Sequence, residues 1–274
     1  MSVANFKPTI WSRELLYTLK KNLIGLNLVN RNYQGEITSE GNKVKITTPG
    51  AINVGDYTGS NITFQALTSS QQELDIDQAK YFAFLVDDVD QAQANVPLMQ
   101  SFMQESAFSL GQEADTFIFE SYSDADSDNV IEDADFTSST AFDLLTEAAA
   151  RLSEANVPEA GRYAVLSPRE IKALSNDPAF QRASNLGDET SRFGFQGMAA
   201  GFMVWQSNNL VADSDTRYGM YGHNIAITFA DQIVKTEAGR REAGFSDFVK
   251  GLHVYGKKVV RPTALGVFEI PLGS

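Results

Sequence analysis

The chain has 274 residues, of which 43% are hydrophobic and 21% charged, a composition typical of a folded protein with a substantial core. Its formal net charge of -13 argues against a broad basic face for nucleic acid, since such a face needs Lys and Arg to replace phosphate counterions. The chain has no cysteine, which excludes disulfides, thiolate catalysis and cysteine-based zinc sites.

The N-terminal segment shows neither a signal-peptide pattern nor a membrane span, which would need about 20 apolar residues, so we expect a soluble intracellular protein. Residues Ile10–Leu23 are predicted to form a short amphipathic helix. This helix could belong to the core or could be an arm that docks onto a neighbouring subunit, and the pattern leaves both open. Its apolar side consists of Ile10, Leu15, Leu16, Leu19 and Leu23.

An extended hairpin is predicted next. Val44–Thr47 and Ile62–Gln65 each alternate like a half-buried strand, and the sequence between them is rich in Gly, Pro and other turn residues. An isolated hairpin is marginal in water, so we expect it to pack on its own domain or on a partner chain.

A strand followed by a long helix is the next predicted unit. Leu74–Val86 is predicted as one strand that meets the acidic step Asp87–Asp90, and Pro97 suits the first turn of a helix. Asp87 and Asp88 could act as an acid–base pair, but adjacent strand residues face opposite ways, which favours a role in ending the strand. The apolar stripe of the helix comprises Phe102, Met103, Ala107, Leu110, Ala114, Phe117 and Ile118.

The acidic loop Ser123–Asp135 partly matches a calcium-binding loop. Asn129 stands where such a loop needs Gly, and the twelfth position holds Asp in place of the usual Glu. Because two positions depart from the pattern, a solvated loop is the favoured interpretation and no metal site is assigned. The candidate ligands would be Asp124, Asp126, Asp128 and Asp135.

An α/β segment follows the acidic loop. A helix is predicted over Ala141–Ala155, with Thr140 as its N-cap and Asp143 in a capping-box position. The strand Arg162–Leu166 leads at once into Ser167–Glu170, a strong helix start. This succession of strand and helix is typical of an α/β layer.

The rest of the chain is predicted to be mostly strands after a Gly- and Arg-containing loop, Asn185–Gly201. The two ends of the chain are expected to share one sheet, with the α/β segment inserted between them. The predicted strands are Phe202–Gln206, Ile225–Phe229, Leu252–Tyr255 and Lys257–Ile270, the last broken at Arg261–Pro262.

No catalytic constellation or cofactor motif is recognisable. His223 and His253 each lack a metal-ligand partner at a suitable spacing. The basic pairs Arg240–Arg241 and Lys257–Lys258 could meet an acidic face of another copy, but solvated charge is the favoured interpretation. The sequence therefore predicts no enzyme and no cofactor.

The order of these parts resembles the major capsid (coat) proteins of tailed bacteriophages, which have the Hong Kong 97-type fold. The likeness is carried by Leu74–Asp90, Tyr163–Leu174, Ser207–Leu210 and Tyr255–Val267. By this resemblance the α+β chain divides into an N-arm (1–32), an extended E-loop (33–68), a first part of a peripheral domain with the long spine helix (69–137), an α/β axial domain (138–239) and closing peripheral strands (240–274).

The resemblance implies a protein that binds copies of itself. Hexamers and pentamers would close an icosahedral shell around double-stranded DNA, without sequence-specific binding and without a membrane. Assembly would occur in the bacterial cytoplasm with a portal and a separate scaffolding protein, because no fused scaffold precedes the N-arm. No Lys–Asn pair for cross-linking between subunits can be assigned. The alternatives are an encapsulin-like nanocompartment shell and, in another class, a divalent-metal-dependent hydrolase that uses the acidic loop.

Overall fold

A computed structural model describes residues 23–32, 43–49, 69–87, 98–183, 197–241 and 244–272, together with the single positions 52, 54, 65 and 66. Several predicted features lie outside these ranges. They are the N-terminal helix before Leu23, the predicted strand at Ile62–Phe64, the acidic step after Asp87, and most of the loop that follows Asn185.

The first predicted hairpin strand is confirmed, whereas its described partner strand was not predicted. Strand β1 (Lys43–Pro49) pairs antiparallel with β2 (Ser69–Asp75), and the second predicted strand, Ile62–Gln65, lies outside the described residues except for Gln65. Leu74 therefore belongs to the hairpin and not to the strand that follows. The two strands are joined to the body by a small second core, which consists of Ile46, Leu74 and Ala230 with Val260 packed against them.

A three-stranded antiparallel sheet joins early and late parts of the chain, as predicted. Its order is β3 (Gln78–Asp87), β10 (Ser246–Val259) and β9 (Ile227–Arg240). Both late strands have 14 residues and extend far beyond the predicted segments. Along β3 half-buried and exposed residues alternate, so that one face of the strand is covered and the other is not.

The predicted spine helix is confirmed as α2 (Leu98–Phe119), preceded in the chain by the single turn α1 (Gly25–Leu28). The last turn of α2 holds no basic residue of its own. Instead, the Lys257 ammonium of β10 donates a hydrogen bond to the carbonyl oxygen of Phe117 and lies 4.3 Å from the centre of its ring. Burial lowers the pKa of Lys257, against the opposing effect of Glu120.

A six-stranded mixed sheet forms the main core, in the order β4 (Val130–Ile131), β11 (Leu265–Pro271), β8 (Thr216–His223), β5 (Arg162–Leu166), β7 (Phe202–Gln206) and β6 (Met198–Ala199). The closing segment predicted at 240–274 divides between the sheets, because β10 lies in the three-stranded sheet and β11 in this one. The strand β8 was not predicted. The helices in this part of the chain are α3 (Ala141–Glu154), α4 (Pro168–Ser175) and α5 (Pro178–Ala183).

Both predicted helix starts are confirmed, but only one of the two predicted side-chain caps is present. At α4 the Ser167 amide donates to Glu170 Oε2 at 2.8 Å in a complete capping box. At α3 the Thr140 hydroxyl makes no cap and donates instead to the Asp135 carbonyl at 2.6 Å. The α3 start is served by the buried Asp177, whose carboxylate accepts from the Phe142 amide at 3.0 Å.

Candidate functional surface

The acidic loop does not assemble a metal site. Asp126 accepts from the Asp128 amide at 3.2 Å, and among the described residues no group of three or more His or acidic side chains could hold a metal ion. Asn129, at the position that departs from the calcium pattern, is buried and donates to the carbonyls of Thr263 and Leu265 at 2.8 and 3.2 Å. The loop therefore has a structural role, as a contact with the start of β11.

Each histidine has a local structural partner. His223 is buried and its Nε2 lies 2.7 Å from the Ala160 carbonyl. His253 Nε2 lies 3.3 Å from the Asp231 carboxylate, which also accepts from Arg31 at 2.7 Å. The hydrogen bond with His253 and the pairing with Arg31 hold the pKa of Asp231 below its ordinary value.

Large apolar side chains are exposed just beyond the end of β1. Ile52 is 71% exposed and Val54 97% exposed, and we call this pair the hairpin end. The opposite end of the hairpin is held firmly. Gln72 donates to the Val260 carbonyl at 3.3 Å, and a Cβ added to Gly256 would lie 2.0 Å from the Asp75 carbonyl oxygen. A closely packed base thus carries an apolar, water-exposed end.

A second apolar region lies on the uncovered face of the three-stranded sheet. Tyr81 is 77% exposed and Leu85 50% exposed, with the exposed Ala83 between them. A shallow groove of about 370 Å³ runs beside these residues, and Lys250 and Glu237 form an ion pair of 2.6 Å within its lining. We call this region the sheet face.

Two further apolar groups are exposed at the margins of the fold. Phe245, 78% exposed, lies in the turn between β9 and β10. Met198 and Met203 face each other across the β6–β7 pair at the edge of the six-stranded sheet, and both are exposed. Scattered apolar residues are normal on a monomer, whereas apolar residues grouped on one exposed face, as on the sheet face, mark interaction sites.

A buried carboxylate fixes the N-terminal segment on the body of its own chain. Asp115 of α2 is 1% exposed and accepts hydrogen bonds from the amides of Ile24 and Gly25 at 3.0 and 2.5 Å. Its other oxygen accepts from the Asn209 side chain at 2.7 Å. Three segments that are remote in sequence meet at this one side chain. For the described residues 23–32, the segment therefore belongs to its own core.

Only some of these surface residues could be identified from a pattern in the sequence. The alternation in β3 marks Tyr81 and Leu85 as sharing a face, but only the position of α2 decides that this face is the uncovered one. Asp115 lies within the apolar stripe of a helix and has no local motif. The sequence around Phe245 likewise shows no pattern that would mark this residue as exposed.

Among the helices that the structure describes, none is both long and apolar enough to cross a membrane. No protein-family model matches the sequence, and no curated protein matches it.

Solved structures match along nearly the whole chain. A structure of Mycobacterium phage Che8 has a TM-score of 0.78 and 34% sequence identity, covering 97% of this chain and 98% of that one. The capsid structure of Cyanophage P-SCSP1u has a TM-score of 0.79 at 17% identity, covering 98% and 94% of the two chains. The capsid of Ralstonia phage GP4 has a TM-score of 0.74 at 13% identity, covering 97% and 96%. The last two show a shared fold, whereas the identity with the first is high enough to show a shared family.

Proposed function

Since the chain belongs to the Hong Kong 97-type major capsid proteins of tailed bacteriophages, we propose that it assembles as hexamers and pentamers into an icosahedral shell around double-stranded DNA. Members of this family are structural components of the virion capsid and not enzymes. The metal-dependent hydrolase considered from the acidic loop is therefore wrong.

The hairpin end is the observation that supports the proposal most strongly. Burying a Val or Ile side chain stabilises by about 1.5–3 kcal/mol relative to leaving it in water. In the single subunit Ile52 and Val54 contribute almost none of this, since both stand in solvent. When a neighbouring subunit covers Ile52 and Val54, this free energy of burial stabilises the contact between the two subunits. Repeated head-to-tail contacts of this kind close into rings.

The charge of the chain suits a container for DNA. With a formal net charge of -13, the subunit repels phosphates on average and does not bind DNA tightly. Enclosed DNA could then move during packaging. We further propose a separate scaffolding protein and a portal as partners, with assembly in the cytoplasm of the bacterial host.

The test compares two single substitutions on the hairpin. Val54→Asp places a charge at the exposed end, and Thr47→Asp places the same charge on an exposed position of β1. Both variants should match the parent in circular dichroism and in melting temperature, because neither side chain lies in the core. Negative-stain microscopy and sedimentation, with the scaffold supplied, should show shells for the parent and for Thr47→Asp but free subunits for Val54→Asp.

Two results would count against the proposal. If Val54→Asp forms shells as efficiently as the parent, the hairpin end is not an assembly contact. If the parent stays a monomer at high concentration with its scaffold, the capsid function itself fails. Shells recovered from cells should contain double-stranded DNA, and shells that hold a protein cargo in its place would favour the encapsulin-like alternative.

A further inference from the structure

An apolar groove lies between the first half of α2 and the three-stranded sheet. Its volume is about 330 Å³. In the second half of α2 the stripe residues Ala114 and Ile118 are buried, whereas the first half leaves its apolar stripe only partly covered. The lining is mostly apolar and includes Met103, Ala107, Leu110 and Leu252, with Asp231 and His253 as its polar members.

We infer that this groove binds the apolar side of residues 10–22 of the same chain. The described part of the segment ends at the groove. Leu23 lies so close to α2 that a Cβ added to Gly111, which lines the groove, would be 2.8 Å from Leu23 Cδ1. The next residues are held to α2 through the amides of Ile24 and Gly25, which donate to Asp115. The chain before Leu23 therefore starts at the rim of the groove.

The pattern and the charge of the segment match the groove. Leu16, Leu19 and Leu23 recur at the spacing of a helical stripe, which is the shape an apolar groove beside a helix accepts. Residues 1–22 contain four basic side chains and one acidic, a net charge of +3 in a chain whose net charge is -13. The segment therefore differs in sign from the rest of the chain, which favours its contact with the body of the subunit.

The same chain is favoured over a second copy because of chain connectivity. Residue 22 is bonded to a residue already fixed at the groove, so little loop-closure entropy opposes the contact. A helix of 13 residues is about 20 Å long, and the stretch of α2 from Gly111 back to Leu98 is also about 20 Å, so the segment matches the part of α2 that borders the groove. A second copy would have to supply the same segment from solution, without this high effective concentration.

Disulfide trapping tests the inference directly, because the chain contains no cysteine to interfere. The trapping pair is Leu19→Cys with Ala107→Cys, and the control pair is Leu19→Cys with Ser109→Cys. Ser109 is exposed and lies about 200° around the helix from Ala107, away from the groove. Under mild oxidation the first pair should form an intrachain disulfide in most molecules, seen as a faster monomer band on a non-reducing gel. The control should form little.

A second measurement keeps the inference testable if the cysteine pairs disturb folding. Leu16→Asp with Leu19→Asp should accelerate amide hydrogen exchange at residues 103–111 at least tenfold and leave residues 162–166 unchanged. Unchanged exchange at 103–111, equal trapping of the two cysteine pairs, or disulfide-linked dimers in place of the intrachain product would each overturn the inference. Shell formation is scored separately by microscopy, so that shells without trapping would refute the groove contact and leave the capsid function intact.

Discussion

Removal of the Asp115 carboxylate should destabilise the subunit severely, whereas a conservative change should cost much less. The carboxylate is buried and accepts from two backbone amides and from the Asn209 amide. In Asp115→Ala all three donors lose their acceptor. A hydrogen bond to a charged group contributes about 1.5–3 kcal/mol, and the losses are not additive, so we expect about 4 kcal/mol less stability.

The variant Asp115→Asn measures the contribution of the negative charge to stability separately from that of the hydrogen bonds. The Asn oxygen can still accept from Ile24 and Gly25, and its amide would then face the donor of Asn209. The Oδ1 atom of Asn209 is buried without a hydrogen-bond partner, so a flip of that amide restores the third bond. We therefore expect a loss of about 1–2 kcal/mol, from weaker charge assistance alone.

Urea unfolding of the unassembled subunit, followed by circular dichroism, measures both values. The control is Glu113→Ala, which removes an exposed carboxylate from the same helix and should cost under about 1 kcal/mol. The double variant Asp115→Asn with Asn209→Asp keeps one carboxylate in the cluster and should be no less stable than Asp115→Asn alone. The reasoning is refuted if Asp115→Ala costs under about 1 kcal/mol, or if Asp115→Asn costs as much as Asp115→Ala.

Three further predictions concern the hairpin base, acid stability and a helix start. Gly256→Ala should raise amide exchange throughout β1 and β2, measured by mass spectrometry, because its Cβ would meet the Asp75 carbonyl oxygen at 2.0 Å. The lowered pKa of Asp231, due first to its hydrogen bond with His253, gives stability that is present above the unfolded-state pKa, about 3.9, and is lost as pH falls through the lower folded value. Asp231→Asn should therefore flatten the pH dependence of urea stability below about pH 4. Ser167→Ala should lower urea stability by about 1 kcal/mol, through loss of the cap on α4.

The parts of the fold that could be predicted from sequence depend on local chemistry. The bounds of β5 and the capping box of α4 were predicted correctly, because a β-branched and aromatic run and a Ser-Pro-x-Glu start act within a few residues. The second hairpin strand was missed because Ser69–Asp75 is polar and, among its described side chains, buries only Leu74, against Ala230 of a distant strand. Thr140 was mistaken for the cap of α3 because the actual acceptor, Asp177, is remote in the chain.

The candidate surface was harder to predict than the fold, for a similar reason. An apolar residue is exposed when no other element of the fold packs on it. The positions of those elements are not visible in the local sequence. The hairpin itself could be predicted, yet the exposure of Ile52 and Val54 required the positions of the surrounding elements. Asp115 joins segments separated by 90 residues or more, so its role is invisible in any local window.

The bond from Lys257 to the last turn of α2 makes the two ends of the helix mechanically unequal. At the C-terminal end the charged contact with the Phe117 carbonyl clamps the helix to β10. Toward the N-terminal end, the helix meets the sheet along the groove described above. A force transmitted through the three-stranded sheet, such as one exerted by a neighbouring subunit, therefore cannot slide the helix along its axis without breaking the Lys257 bond. The C-terminal end of α2 is therefore the end at which the three-stranded sheet transmits axial force directly to the helix.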